Sequence, residues 1–458
     1  MVVQKFGGTS VADPEAIRRL IEIVRTARTR DGRGPVVVVS AMSKVTDALL
    51  AIASIAGAGR PSDALPRVDE LRERHATAVR ALVTGPAHTP LLAHIAGQFD
   101  QLADIVRALA ILREVSPRTL DVVAAMGELL SSRIIAAALT EAGVPAEWVD
   151  ARCAIVTNGD HTSATPLGAE TNGALRKTVK PILDGGKVAV LGGFVGATAE
   201  GHTTTLGRGG SDYSGAIVGA GIDAREIQIW TDVDGMLSAD PRVITSPRLI
   251  AQLSFAEAAE LAYFGAKVLH PSTILPAVER NIPVRILNSW KPDGAGTLIT
   301  ARPGAARNEG TSGARLTGLA SKKDVTVIDI TSTRMLMAYG FLRRVFEVFE
   351  RFRTAVDMVT TSEVSVSVTV DDRRNLDAIV QALSDFSEVS IESELALLCA
   401  VGDSLQEAPE IAARVVSVLE EVPLKMISQA ASRRNITVVL RQSDLPHAMQ
   451  RLHEEFFA

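Results

Sequence analysis

Four runs of β-branched and other apolar residues, each stopping at glycine or a small polar residue, constrain this chain more than any other feature. They are Val2–Phe6 before Gly7-Gly8-Thr9-Ser10, Val36–Val39 before Ser40-Ala41, Val188–Leu191 before Gly192-Gly193, and Ile227–Trp230 before Thr231-Asp232. A strand that is apolar at nearly every position has no face to give to water, so it belongs in a sheet covered on both sides. The covering helices are legible between the runs. Pro14–Arg28 has Asp13 as N-cap, Pro14 at the first helical position, and an apolar stripe of Ile17, Leu20, Ile21 and Val24. Val122–Ala142 is a second, stopped by Gly143. Strand, loop and helix in repetition predict an α/β domain, a mainly parallel sheet sandwiched by helices, with ligands at the carboxyl ends of the strands.

Near residues 301–319 the texture changes. Arg302-Pro303-Gly304, Asn308-Glu309-Gly310 and Ser312-Gly313 have the composition of a linker. Beyond them the pattern restarts at smaller scale, with a strand at Val325–Ile330, a helix at Gly340–Phe352 and an alternating strand at Val364–Val370. Val356-Asp357-Met358-Val359 is echoed by Leu424-Lys425-Met426-Ile427, and each is followed by a second β run, Val364–Val370 and Ile436–Leu440. Two ferredoxin-like βαββαβ modules of about 65 residues each account for this echo. The expected organisation is a domain over 1–300, a linker over 301–319, and modules over 320–388 and 389–458, the last segment interleaving with the first module.

Composition narrows the function classes. With 458 residues, 47% apolar and a net charge of −5 from interspersed acids and bases, the chain can bury a large core and carries no basic face for nucleic acid. Its two cysteines, Cys153 and Cys399, make no disulfide framework and fit a reducing compartment. No basic leader opens the chain, and no uninterrupted apolar stretch reaches the roughly 18 residues of a membrane span. A cytoplasmic protein with no membrane partner is expected.

The strongest local signal for chemistry is Lys5-Phe6-Gly7-Gly8-Thr9-Ser10-Val11. A strand ending in Gly-Gly, then hydroxyls and a helix, lets backbone N–H groups approach a phosphate, and the lysine adds a point charge for the same anion. A Gly-Gly pair alone also closes many ordinary strand–helix turns. The full string resembles the opening signature of the aspartate kinases, within the amino-acid kinase family. Ser40–Asp47, Met126-Gly127-Glu128, Gly193–Thr198, Thr205–Ser214, Trp230–Gly235, Ala239–Arg242, Glu260–Pro271 and Asn281–Val284 match the same family in order, so the resemblance covers essentially the whole chain.

The resemblance implies transfer of the ATP γ-phosphoryl group to the β-carboxylate of L-aspartate, giving 4-phospho-L-aspartate, the first step of lysine, threonine and methionine synthesis. That acceptor is already ionised at neutral pH, so no general base is required, and His202 and His270 are read as structural. What the transfer needs is positioning and neutralisation of charge on the moving group. Lys5 is the candidate cation, and Asp212 the residue that orients it; as an ordinary residue Asp212 would be a helix N-cap. For aspartate, Glu128 suits the α-ammonium and Arg208 the α-carboxylate, held bidentately, with hydroxyls from Ser40, Thr46 and Ser211. For ATP, the resemblance implies Lys5, Phe6, Gly7, Gly8, Thr231, Asp232, Arg242, Lys267 and Val268. Mg²⁺ is expected with the nucleotide, bridging phosphates rather than sitting in a protein cage, and no structural metal is expected.

The C-terminal modules resemble ACT domains, in particular those of the monofunctional lysine-inhibited branch. That implies an amino-acid effector, lysine favoured, bound by Met335, Val356, Asp357, Thr361, Ser362 and Glu363, and a homodimer paired through the modules. As ordinary residues, Asp357 and Glu363 would be solvated loop acids. Kinases of other amino-acid or nucleotide acceptors lack the Arg208-Gly-Gly-Ser-Asp string together with tandem ACT modules. A catalytically dead sensor is disfavoured by intact Lys5, Glu128, Arg208 and Asp212.

Overall fold

The computed structural model describes residues 1–207, 209–265, 268–302, 316–332, 339–429 and 433–457. They form two compact units, one of Met1–Met236 with Leu269–Pro303, the other of Leu237–Val268 with Gly304–Ala458. The inserted segment 237–268 therefore belongs with the C-terminal modules and not with the 1–300 domain in which the sequence reading put it.

In chain order the first unit runs β1 (Val2–Phe6), α1 (Pro14–Asp31), β2 (Val36–Val39), α2 (Val45–Gly57), and then three long helices, α3 (Pro61–Leu82), α4 (His88–Leu112) and α5 (Pro117–Glu141). There follow β3 (Ala146–Val149), α6 (Gly168–Thr178), α7 (Lys180–Asp184), β4 (Val188–Gly192), the hairpin β5 (Val195–Ala197) and β6 (Thr203–Thr205), α8 (Gly210–Gly221) and β7 (Glu226–Thr231). The chain leaves this unit after Met236, carrying β8 (Gln252–Ser254) and α9 (Phe255–Tyr263), and returns with α10 (Leu275–Glu279), β9 (Val284–Asn288) and β10 (Thr297–Thr300).

The sheet of the first unit has the order β3-β4-β2-β1-β7-β9-β10. It is parallel throughout except where β10 returns against β9. The four apolar runs become β1, β2, β4 and β7, and every residue of β1, β2 and β4 is buried. α1 starts as its sequence indicates, with Asp13 accepting from the Ala16 N–H, and ends at Gly32 in the left-handed region. α5 begins five residues earlier than its apolar pattern suggests, because Ser116 caps it and Pro117 opens it. By length and composition α5 could cross a membrane, yet 78% of its most apolar window is buried inside this unit. It is a core helix.

The second unit adds β11 (Leu316–Thr331), α11 (Phe341–Arg351), β12 (Met358–Thr361), β13 (Ser365–Val370), α12 (Leu376–Ser384), β14 (Glu388–Gly402), α13 (Pro409–Val418), β15 (Leu424–Gln429), β16 (Asn435–Arg441) and α14 (Leu445–Phe457). Leu316–Leu319, read from sequence as linker, are the start of β11. The sheet is antiparallel, in the order β12-β13-β11-β14-β16-β15. β11 and β14 pair along nearly their full lengths, with a shift of register between Lys322 and Val325. At that break Asp324 and Glu394 take positive φ, 60° and 59°. On one side of it Leu316, Leu319, Leu398 and Ala400 pack in a core with α13 and α14; on the other Ile328 and Ile330 pack with α11 and α12. Each module thus contains a piece of both long strands, and the expected cut between 388 and 389 falls at the start of a strand that both share.

Candidate active site

Parallel strands deliver their carboxyl ends to one edge of the sheet, and the register decides which residues meet there. Phe6 lies beside Val39 and Trp230, and Val39 beside Gly192. Gly7, Ser40, Gly193 and Thr231-Asp232 therefore emerge side by side. A cleft of about 690 Å³ opens at this edge, lined by Lys5, Gly8, Ser40, Thr46, Glu128, Ser211 and Asp212 together with Lys44, Asp47, Thr162, Phe194 and Thr205. Six of the expected substrate and catalytic residues are gathered here; Arg208, which directly precedes Gly209 in the chain, lies outside the described residues.

Lys5 is only 7% exposed, and its Nζ lies 2.5 Å from Asp212 Oδ1. A buried ammonium without a partner is costly, so the carboxylate fixes both charge and direction. Asp212 stands in the first turn of α8, whose N-cap is Gly209 at φ 72°. That helix start also presents unpaired backbone N–H groups and the positive end of the helix dipole to the cleft.

Glu128 reaches the same cleft from the middle of α5. At the neighbouring Gly127 an added Cβ would stand 2.7 Å from the Ala41 Cβ, so only glycine lets the helix approach this closely. Glu128 is 3% exposed, its Oε2 has no hydrogen-bond partner, and burial pushes its carboxyl up to about 8 despite a hydrogen bond from the Ala41 backbone. A desolvated acid that lines a cleft with one oxygen unpartnered is a receptor for a cation.

Sequence reasoning missed the support behind the cleft wall. Asp121, fully buried two helical turns before Glu128 on α5, accepts from His161 Nδ1 at 2.6 Å, from the Thr162 N–H at 3.0 Å and from Thr205 Oγ1 at 2.5 Å. Thr162 sits at φ 71°, a conformation that threonine adopts only when its surroundings hold it there. Both Thr162 and Thr205 line the cleft. The available signal was the seven-residue spacing from Asp121 to Glu128, which puts both acids on one helix face.

The expected nucleotide residues divide. Lys5 and Gly8 line the cleft, and Thr231 and Asp232 end the neighbouring β7, where Thr231 Oγ1 bonds Asp232 Oδ1 at 3.1 Å. The Gly7 N–H is already spent on the Trp230 carbonyl at 3.0 Å. Phe6 points the other way: its ring is fully buried and stacks on Trp230 at 6.0 Å, so its side chain is core and not contact. Arg242 and Val268 belong to the second unit, where Arg242 grips its own neighbour Asp240 at 2.6 Å. Lys267 lies outside the described residues.

Of the expected effector residues, Met335 lies outside the described residues. Asp357 directly precedes β12 while Thr361-Ser362-Glu363 follow at its far end, so the acids Asp357 and Glu363 flank a strand instead of facing each other. Asp357 is no solvated loop acid. It accepts from Lys322 Nζ and from Tyr263 Oη, each at 2.9 Å, and its Oδ2 is buried without a partner. Lys322 also reaches Asp371 at 3.0 Å. Burial, then the Asp357 charge, push the Tyr263 hydroxyl up to about 12. Thr361, Ser362 and Glu363 are exposed.

Comparison with known proteins places the chain in a family. Residues 1–288 match the amino acid kinase family and residues 398–456 an ACT domain. The chain is 37% identical over 470 residues to the chloroplastic aspartokinase 3 of Arabidopsis thaliana, covering 99% of this chain and 81% of that protein. It is 34% identical to the lysine-sensitive aspartokinase 3 of Escherichia coli, covering 100% of this chain and 99% of that one. Among solved structures, E. coli aspartokinase III with aspartate and ADP superposes over both whole chains at a TM-score of 0.83 and 34% identity. The same enzyme with lysine and aspartate does so at 0.82.

Proposed function

The chain belongs to the amino acid kinase family, among the aspartokinases, and on that footing we propose how its residues divide the phosphorylation of L-aspartate by ATP. The observation that carries the reading is the gathering, in one cleft, of the Lys5–Asp212 ion pair and the buried acid Glu128, whose Oε2 has no partner. Glu128 takes the α-ammonium of aspartate and Arg208 its α-carboxylate, with Ser40, Thr46 and Ser211 supplying hydroxyls. The β-carboxylate is left to face Lys5. Being ionised, it attacks the γ-phosphorus without a base, as the bond from that phosphorus to the β–γ bridging oxygen breaks and ADP leaves. Charge on the transferring group is met by Lys5 and by the N–H groups at the start of α8. Asp212 keeps the Lys5 ammonium aimed at that point.

The triphosphate lies along Lys5, Gly7 and Gly8, and the nucleoside along Thr231 and Asp232. Mg²⁺ would enter with the nucleotide, held by phosphates and water. When bound, Mg²⁺ supplies charge neutralisation between phosphates.

Feedback control by lysine is proposed for the ACT unit, through Asp357, Val356, Met335 and the Thr361–Glu363 turn. The orphaned Oδ2 of Asp357 supports this, as an acceptor for an incoming ammonium. Pairing of two chains through that unit is also proposed, supported by the exposed apolar side chains Val359, Val364 and Ile427 on and beside its edge strands. Domain limits follow the units: kinase 1–236 with 269–303, regulation from the remainder. The test is trapping of acyl phosphate by hydroxylamine with Mg-ATP. L-Aspartate is expected to give product and L-glutamate little; product from acetylglutamate but not from aspartate overturns the reading.

A further inference from the structure

Consecutive residues of a strand face opposite sides of the sheet. Lys5 faces the catalytic cleft; Gln4 faces a second hollow, of about 530 Å³, between α1 and the segment Pro292–Ala295. We propose that this groove binds a small zwitterion with an apolar body, of the size and charge pattern of a free aliphatic or aromatic α-amino acid, at a site separate from both the cleft and the ACT unit.

The floor has a fixed hydrogen-bond polarity. Glu226, held by Arg285, can only accept, so Gln228 turns its Nε2 to it at 2.7 Å. Gln228 Oε1 then receives Trp230 Nε1 at 3.3 Å and Gln4 Nε2 at 3.0 Å. Flipping the Gln4 amide would set two carbonyl oxygens against each other. Gln4 Oε1 is therefore left as an acceptor with no partner, on a side chain only 1% exposed that lines the groove. A buried acceptor of fixed orientation calls for an N–H or O–H donor from whatever fills the space.

The lips carry charge of both signs. Arg30 and Arg225 share the single carboxylate of Asp31, at 3.1 and 2.9 Å, which leaves one positive charge in that trio uncompensated. The acids Glu22 and Asp293 line the same groove. Ile23 and Ala27 of α1 and the ring and side chain of Trp230 and Leu287 make apolar walls. A carboxylate at the arginines, an ammonium donating to Gln4 Oε1, and a hydrocarbon side chain between the walls satisfy all three features at once. The volume is in the range usual for small-molecule sites.

The test is calorimetric titration of the full chain with L-leucine and with L-phenylalanine, in saturating L-aspartate and L-lysine so that the cleft and the ACT unit are occupied. At least one is expected to bind saturably. Binding should weaken roughly tenfold or more for 3-methylbutylamine and 4-methylpentanoate, which each lack one charge. It should be lost in Thr26→Trp, which blocks the lip from an exposed position of α1, and weakened in Arg225→Ala and in the near-isosteric Gln4→Leu. Unchanged acyl phosphate formation by Thr26→Trp shows that the variant folds and that the cleft is intact. Saturable binding of neither amino acid, binding displaced by lysine or aspartate, or binding indifferent to Thr26→Trp and Arg225→Ala overturns the proposal.

Discussion

Asp121 and His161, 40 residues apart in sequence, meet at 2.6 Å behind the wall of the cleft, and the same carboxylate holds the Thr162 backbone in its left-handed turn. The wall's shape hangs on one buried acid that touches no substrate. Asp121→Ala should raise the aspartate KM by roughly tenfold or more while leaving the ATP KM nearly unchanged, because the lost bonds shape only the acceptor side. A parallel loss of ATP affinity, or a drop in kcat alone, would contradict this. Asp121→Asn keeps the volume and accepts fewer bonds, so it should fall between wild type and Ala.

Lys5→Ala and Asp212→Ala should each lower kcat by roughly 10²- to 10³-fold, with ATP binding little changed, since they act on charge that develops during transfer. The double variant should be hardly worse than Lys5→Ala, because Asp212 works through the lysine. Additive losses in steady-state kinetics would separate the two.

Glu128 gives a pH signature. Its carboxyl, pushed up to about 8 in the free protein, is largely protonated at pH 6 to 7. An ammonium bound beside it favours the ionised form, so aspartate binding expels a proton. Affinity should rise with pH, by up to about tenfold per unit, and level off above about 8. The sign for stability is opposite. Because this acid's folded value lies above its unfolded one, the folded state holds the extra proton between about 4.5 and 8, and stability falls as pH rises through that window. Glu128→Gln should flatten both profiles. Calorimetry in two buffers of different ionisation enthalpy checks the proton count directly.

Lys322 occupies the acid assigned to the effector. If Asp357 receives an ammonium of lysine, the chain's own ammonium competes for it. Lys322→Met should then lower the half-inhibitory lysine concentration by roughly fivefold or more. Weaker inhibition in that variant would mean that Lys322 builds the effector site and does not compete for it.

Much of this was legible. Val36–Val39, apolar throughout, could be nothing but an inner strand, and Asp13-Pro14 marked a helix start to the residue. Those signals are local. Glu128 was found because its motif is contiguous, and the structure gives it the burial and the missing partner that a helix surface position would lack. Asp121 was passed over because its partners, His161, Thr162 and Thr205, come from a loop and a strand end that only the fold brings to it. Asp357 and Glu363 are only six positions apart in sequence, and that β12 extends between them is seen only in the fold. Lys322 lay in a region where alternation breaks, and the break is the register shift itself.

The sharing of β11 and β14 by both ACT modules has a consequence for how this half of the protein melts. Neither module owns a complete sheet, so neither has a boundary at which it can come apart alone. Severing the chain at residue 388 would leave the first module without the strand that closes its centre, and the second without Leu316–Lys322. Amide protons across the six strands are tied to one opening event rather than two.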